Sequence, residues 1–230
     1  MWDETRELTL ERDYTRYAEG SVMATLGGTR VLCTAMIDDG APLHCRENNI
    51  GWVTSEYCML PSANPDRKSL QRPPGGRTKE IQRLIGRCLR AAVDLGQIGL
   101  RTIWIDCNVM QADGGTRTTS ITAGFVALID ALRSLEEAGK IDQVPLNYGV
   151  AAVSVGMVDG RHMVDLCAEE DKRAEVDMNV VMTHEGGFVE VQGTAEQQPY
   201  SREDLDAMLD VAQKGTARFK EVQKEVLGEW

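Results

Sequence analysis

The chain has 230 residues, 42% of them apolar, and a formal net charge of −11; it is long enough to bury a substantial core. Only seven prolines, and no long apolar run, exclude a disordered chain and a helix spanning a bilayer. The start, MWDETRELTLERD, is charged from its third residue and lacks the apolar stretch of a secretion signal, so a cytoplasmic protein with no membrane partner is expected.

In chain order, TRELTL (5–10), SVMATL (21–26) and RVLCTAMI (30–37) alternate as strands, the last two joined by a hairpin turn at Gly27-Gly28. WVTSEYCML (52–60) is a further strand. The prolines and glycines of PSANPDRKSLQRPPGG (61–76) forbid regular structure and predict a solvated loop. Ile81, Leu84, Ile85, Cys88, Leu89 and Ala92 then recur at helical spacing, with Lys79, Arg83, Arg87 and Arg90 mainly away from that stripe. TIWIDCNVM (102–110) puts Ile103, Ile105, Cys107 and Val109 on one face of a half-buried strand. A turn at Asp113-Gly114-Gly115 leads into a second helix marked by Ile121, Phe125, Leu128, Ile129 and Leu132, with Thr118 or a neighbour as its cap.

The second half repeats the strand theme with VAAVSVGMV, HMVDL, AEVDMNVVMT and FVEVQG, turning at Asp159-Gly160 and at Glu185-Gly186-Gly187. A final helix from Ser201 is acidic early (Glu203, Asp204, Asp206, Asp210) and basic late (Lys214, Arg218, Lys220, Lys224), which suits its dipole. Its stripe of Leu205, Met208, Leu209, Ala212, Phe219, Val222 and Val226 reads as core packing. No linker separates the halves. The expectation is one α+β domain over residues 1–230, with two β-rich, helix-backed halves at about 1–145 and 146–230.

The six cysteines form no C-x-x-C pair and are expected as free thiols; the three histidines are too dispersed for a zinc site. Charge is unevenly spread. Residues 67–90 hold eight cations (Arg67, Lys68, Arg72, Arg77, Lys79, Arg83, Arg87 and Arg90) against Glu80 alone, inside an acidic chain. That is the pattern of a local anion site, and equally of a solvated basic helix face.

Three features carry chemistry. GGTRTTS (114–120) lies between a strand and a helix, where free N–H groups and the dipole favour an anion, with the Thr116 hydroxyl and the Arg117 fork beside them. It lacks the spacing of a nucleoside-triphosphate loop, and the bland reading is a glycine turn bearing a solvent-facing arginine. Arg77 sits at a second helix mouth, and two such arginines suit the clamping of one phosphate. Asp177 stands in an apolar strand, where a buried carboxylate needs a metal, an arginine or water, and Asp171 lies six residues before it. Metal or proton-transfer chemistry competes there with a wet strand face shared by Glu175, Asp177 and Asn179.

Taken together, GWVTSEYCMLP, GRTKEIQRLIGRCLRAAVDL, RTIWIDCNVMQADGGTRTTSITAGFVALIDAL, VAAVSVGMVDG, AEVDMNVVMT and FVEVQGTAE resemble bacterial ribonuclease PH, in order from about residue 6 to 225. The resemblance implies a ribosomal protein S5 domain 2-like fold, a homo-oligomeric ring of six, and phosphate-dependent 3′-to-5′ trimming of tRNA precursors that releases nucleoside 5′-diphosphates. It implies phosphate binding by Arg77, Gly115, Thr116 and Arg117, and a catalytic and metal-binding pair in Asp171 and Asp177. Inorganic phosphate is then the co-substrate and Mg2+ the expected ion. RNA contacts are expected from Arg67, Lys68, Arg72, Arg83 and Arg87.

The chain departs from the family at several points. An Arg-x-Asp-Gly-Arg segment that precedes the resemblance in the family is absent, Ser62 and Pro65-Asp66 replace arginine and His-Thr in the tRNA-gripping loop, and Asn108 replaces a common aspartate. Arg46-Glu47-Asn48-Asn49-Ile50 also replaces a glycine-richer stretch. These changes bear on RNA grip and substrate range. Two rival functions are a non-catalytic RNA-binding ring subunit, against which the retained arginines and carboxylates speak, and a hydrolytic exonuclease, which has no use for two arginine-bearing anion sites.

Overall fold

A computed structural model describes residues 4–67, 69–70, 73–196 and 198–228. β1 (Leu8–Arg12), β2 (Gly20–Leu26), β3 (Thr29–Asp38), β4 (Trp52–Met59) and β5 (Thr102–Gln111) form one sheet in the order β1-β2-β3-β5-β4. Its neighbours are antiparallel except β4 and β5, which are parallel and so need a long crossover. Helix α2 (Gly76–Ala92) supplies that crossover and buries Ile81, Leu84, Ile85, Cys88, Leu89 and Ala92, the stripe expected from the spacing. The second sheet is antiparallel, with β6 (Val150–Val158), β7 (Arg161–Val164), β8 (Val176–Thr183) and β9 (Phe188–Ala195) in the order β7-β6-β8-β9.

Helix α3 (Thr116–Glu137) packs on β2, β3 and β5 from one side and on β6 and β8 from the other. It is apolar around most of its circumference, as a helix between two sheets must be. Gly20 permits the closest approach, since a Cβ there would lie 2.0 Å from the Ala127 carbonyl oxygen. Polar pegs set the registry between layers. The Thr122 hydroxyl accepts from the Ala152 N–H (3.0 Å) and donates to the Ala152 carbonyl (3.2 Å), while the buried Gln223 amide donates to the Thr122 and Val150 carbonyls. Gln223 belongs to α5 (Arg202–Leu227), which covers β6 and β7 and touches β1. Arg12 makes a fork with Asp130 of α3 and also donates to the Val226 carbonyl, tying the first strand to both helices.

The architecture is α+β and ribosomal protein S5 domain 2-like, with β-rich halves backed by helices. Differences from the sequence expectation are local. β1 begins at Leu8, because Arg6 turns away to pair with Asp165. Two one-turn helices, α1 (Leu43–Glu47) and α4 (Ala168–Asp171), are too short to show a periodic stripe. Helix α3 has no side-chain cap: Gly115 is its N-cap, and Thr118 and Thr119 instead donate their hydroxyls to the Gly115 carbonyl. The expected stripe of α5 is found, with Met208, Ala212 and Phe219 buried. Among the described residues no helix is long and apolar enough to cross a membrane.

Candidate active site

The turn before α3 depends on its glycines. Gly114 and Gly115 both have left-handed backbone, φ +76° and +64°, and a Cβ on Gly114 would lie 2.1 Å from the Leu166 carbonyl oxygen. This tight turn seats the start of α3 against the segment between β7 and α4. Arg6 pins the same place: its Nη2 lies 2.7 Å from Asp165 Oδ1, and its Nη1 donates to the Asp113 carbonyl. Burial alone would lower the Arg6 pKa, but the Asp165 hydrogen bonds and charge outweigh it and raise it. Asp165 is itself buried, so this pair is an internal brace.

A cavity of about 330 Å³ opens beside the brace. Arg77, Gly115, Thr116, Arg117, Asp171 and Asp177 all line it, so both arginine-bearing helix starts and both carboxylates meet in one place. Because nothing caps α3, the N–H groups of Thr116, Arg117 and Thr118 make no hydrogen bond among the described residues, which leaves donors for an anion. Arg117 has one ion pair there, with Glu80 Oε2 at a long 3.8 Å. Glu80 is in turn held by the Gln192 amide at 3.0 Å. The hydroxyl of buried Tyr57 lies 2.9 Å from Thr116 Oγ1, and burial raises the phenol's pKa.

Asp171 ends α4 on the exposed rim, whereas Asp177 projects from β8 and is half-buried. Burial raises the Asp177 pKa, and the negative charge of Asp171 raises it further, with Arg117 and Arg77 opposing. Glu175 turns to the β6–β7 hairpin and accepts from the Gly160 N–H at 3.0 Å, while Asp177 and Asn179 face the cavity.

The residues expected to grip RNA are dispersed. Arg67 is exposed in the irregular loop; Lys68 and Arg72 lie outside the described residues. Arg83 and Arg87 are exposed on α2, one turn apart and away from the cavity lining, and Arg87 pairs with Glu190 at 2.8 Å. Arg90 is structural: it donates to the Val53 carbonyl and stacks 4.2 Å from the Trp52 ring centre. Sequence reasoning placed Asn179 on the face of Asp177 but missed Asn64, Ser154 and Lys172 of the lining, along with Tyr57 and Arg6 behind it. Position in a strand or loop carries no signal for these.

Comparison with known proteins places this cavity in context. Residues 4–134 match the 3′ exoribonuclease family, domain 1, and residues 149–215 match domain 2 of the same family. Among solved structures, rice (Oryza sativa) Rrp46 is similar at a TM-score of 0.80 and 18% identity, over 99% of this chain and 97% of that one. An Archaeoglobus fulgidus exosome with RNA bound to the active site is similar at 0.82 and 20%, over 96% and 89%. An archaeal exosome core is similar at 0.76 and 19%, over 97% and 87%. At these identities the solved structures establish the fold.

Proposed function

This chain belongs to the 3′ exoribonuclease family, and on that premise we propose that it is a phosphate-dependent 3′-to-5′ exoribonuclease of the bacterial ribonuclease PH kind. It trims the 3′ ends of tRNA precursors and releases nucleoside 5′-diphosphates. The observation that carries this reading is the shared cavity, with two arginines and an uncapped helix start against two carboxylates.

Attack of inorganic phosphate on an RNA phosphodiester brings two anions together. The reaction forms a bond from a phosphate oxygen to the terminal phosphorus and breaks the bond to the preceding 3′ oxygen, and the proton that the attacking hydrogen phosphate gives up balances the one that this oxygen takes up. Arg77, Arg117 and the first N–H groups of α3 hold the incoming phosphate and offset the repulsion. The Asp177 carboxyl, pushed up by burial and by Asp171, is relieved either by a proton or by a cation. Two neighbouring carboxylates suit Mg2+, which takes one or two of them and otherwise keeps water and substrate oxygens. Asp171 and Asp177 would hold that ion, and when bound it supplies positive charge to the phosphoryl oxygens.

Arg67, Lys68 and Arg72 of the loop and the Arg83–Arg87 face of α2 are the proposed track for the RNA backbone. The proposed assembly is a homo-oligomeric ring of six, a reading that rests on the resemblance of the sequence motifs to bacterial ribonuclease PH. The deciding experiment incubates a tRNA precursor and a short single-stranded RNA with Mg2+, with and without inorganic phosphate. Nucleoside diphosphates are expected only with phosphate, and excess diphosphate should drive elongation. Monophosphates released at the same rate without phosphate would identify a hydrolase. RNA bound with no product in either buffer would identify a binding subunit.

A further inference from the structure

The floor of the cavity holds a polar pair that neither the phosphate arginines nor the two carboxylates use. Ser154 of β6 and Asn179 of β8 are paired across the antiparallel ladder, and both line the cavity. They are only 5% and 7% exposed. Ser154 Oγ is buried and has no hydrogen-bond partner among the described residues, and Asn179 stands directly opposite it on the cavity wall. Folded proteins rarely leave a buried polar atom unpaired, so the Ser154 hydroxyl faces a partner outside the polypeptide, in the cavity that Asn179 also lines.

The surroundings say which kind. Asp177 lies two residues before Asn179 on the same face of β8, and Gly156 is its ladder partner, so Ser154 is its diagonal neighbour. Diagonal neighbours on a sheet are roughly 7–8 Å apart, too far for a direct bond and within the reach of a bridging water. Asp177 and Asp171 disfavour an anion next to them, while Arg77, Arg117 and Lys172 are the cations of the same cavity. A hydroxyl and an amide oxygen are acceptors, matching water that donates because a cation polarises it.

We propose that Ser154 and Asn179 form the outer floor of a divalent-cation site, accepting hydrogen bonds from water that the cation retains, while Asp171 and Asp177 supply the anionic oxygens. This rests on the reading of Asp171 and Asp177 as the metal pair. Ser154 and Asn179 are therefore positioning residues, and changing such partners typically costs 10–100-fold in metal affinity.

The test measures Mn2+ binding by electron paramagnetic resonance on the full chain, without RNA or phosphate, for wild type, Ser154→Ala, Asn179→Ala and Asp177→Asn. Ser154→Ala and Asn179→Ala should each weaken Mn2+ binding about tenfold. The metal-free melting temperature of Ser154→Ala should hold or rise, because an unpaired buried hydroxyl is removed. If wild type and Asp177→Asn bind Mn2+ equally, the metal pair itself is wrong. If Asp177→Asn loses the ion while Ser154→Ala and Asn179→Ala bind it as wild type does, the pair stands and the outer floor is overturned.

Discussion

Replacing Arg117 by alanine tests the phosphate reading most directly. Its side chain is 21% exposed and lines the cavity, and its one ion pair among the described residues, with Glu80, is at 3.8 Å, longer than a good hydrogen bond. The guanidinium is thus held for something else. Charge-assisted hydrogen bonds contribute about 1.5–3 kcal/mol, which converts to roughly 10- to 150-fold weaker phosphate use. The lost pair with Glu80, partly solvated, is worth about 0–1 kcal/mol, so the melting temperature should move by no more than about 4 °C. The assay titrates phosphate at fixed RNA and reads initial rates of diphosphate release; the KM for phosphate should rise while the KM for RNA changes little. Glu80→Gln should act in the opposite sense, removing a competing carboxylate and lowering the KM for phosphate a few-fold. An unchanged KM for phosphate in Arg117→Ala, accompanied by a large loss of thermal stability, would show that Arg117 is a structural residue and refute the reasoning.

Asp177→Asn should abolish turnover yet leave RNA affinity near wild type in a filter-binding assay; wild-type turnover would return the strand to the wet-face reading. Arg6→Ala strands the buried Asp165 carboxylate, so it should cost about 3–5 kcal/mol, seen as a fall of roughly 6–20 °C in a calorimetric scan. Gly114→Ala forces a Cβ against the Leu166 carbonyl at φ +76° and should cost at least about 1–3 kcal/mol, with a raised KM for phosphate because the start of α3 shifts. Burial holds the His184 imidazole below its ordinary pKa of 6.5, outweighing its hydrogen bond to Gln223. The unfolded chain therefore binds the proton first, so this stability is complete above about pH 6.5 and is lost as pH falls towards the folded pKa. Urea melts from pH 8 down to pH 5.5 should show that slope, and His184→Gln should flatten it.

Much of the fold is legible because its elements are long and one-sided. Alternation in β2, β3 and β5, and the stripe of α2, follow from burying one face, a rule that acts between near neighbours in sequence. The glycine loop before α3 is legible for the same reason: Gly115, Thr116 and Arg117 are consecutive, so a turn and a helix start make the feature without help from elsewhere. The periodicity of one-turn helices such as α4 is not legible, although α4 carries Asp171, because four residues cannot display a stripe. Its shape is held by the Cys167 carbonyl accepting from the Asp171 N–H, and by the Glu170 side chain accepting from the Cys167 N–H.

What the amino-acid sequence determined by itself, then, was the kind of element at each place and the residue types offered for chemistry. Only the tertiary structure decided which of them meet. Arg77 and Arg117 are forty positions apart, yet they line one cavity because α2 and α3 pack side by side on the first sheet. Arg6 leaves the expected strand for a carboxylate 159 positions away. Glu175 bonds to the hairpin turn while Asp177, two positions on, lines the cavity with Arg77 and Arg117, a division that depends on distant segments. Ser154 is one more small polar residue of a strand in the sequence, and only the closed fold buries its hydroxyl with no partner among the described residues. Local propensity depends on a residue and its near neighbours, whereas burial and pairing depend on which distant segments close over it.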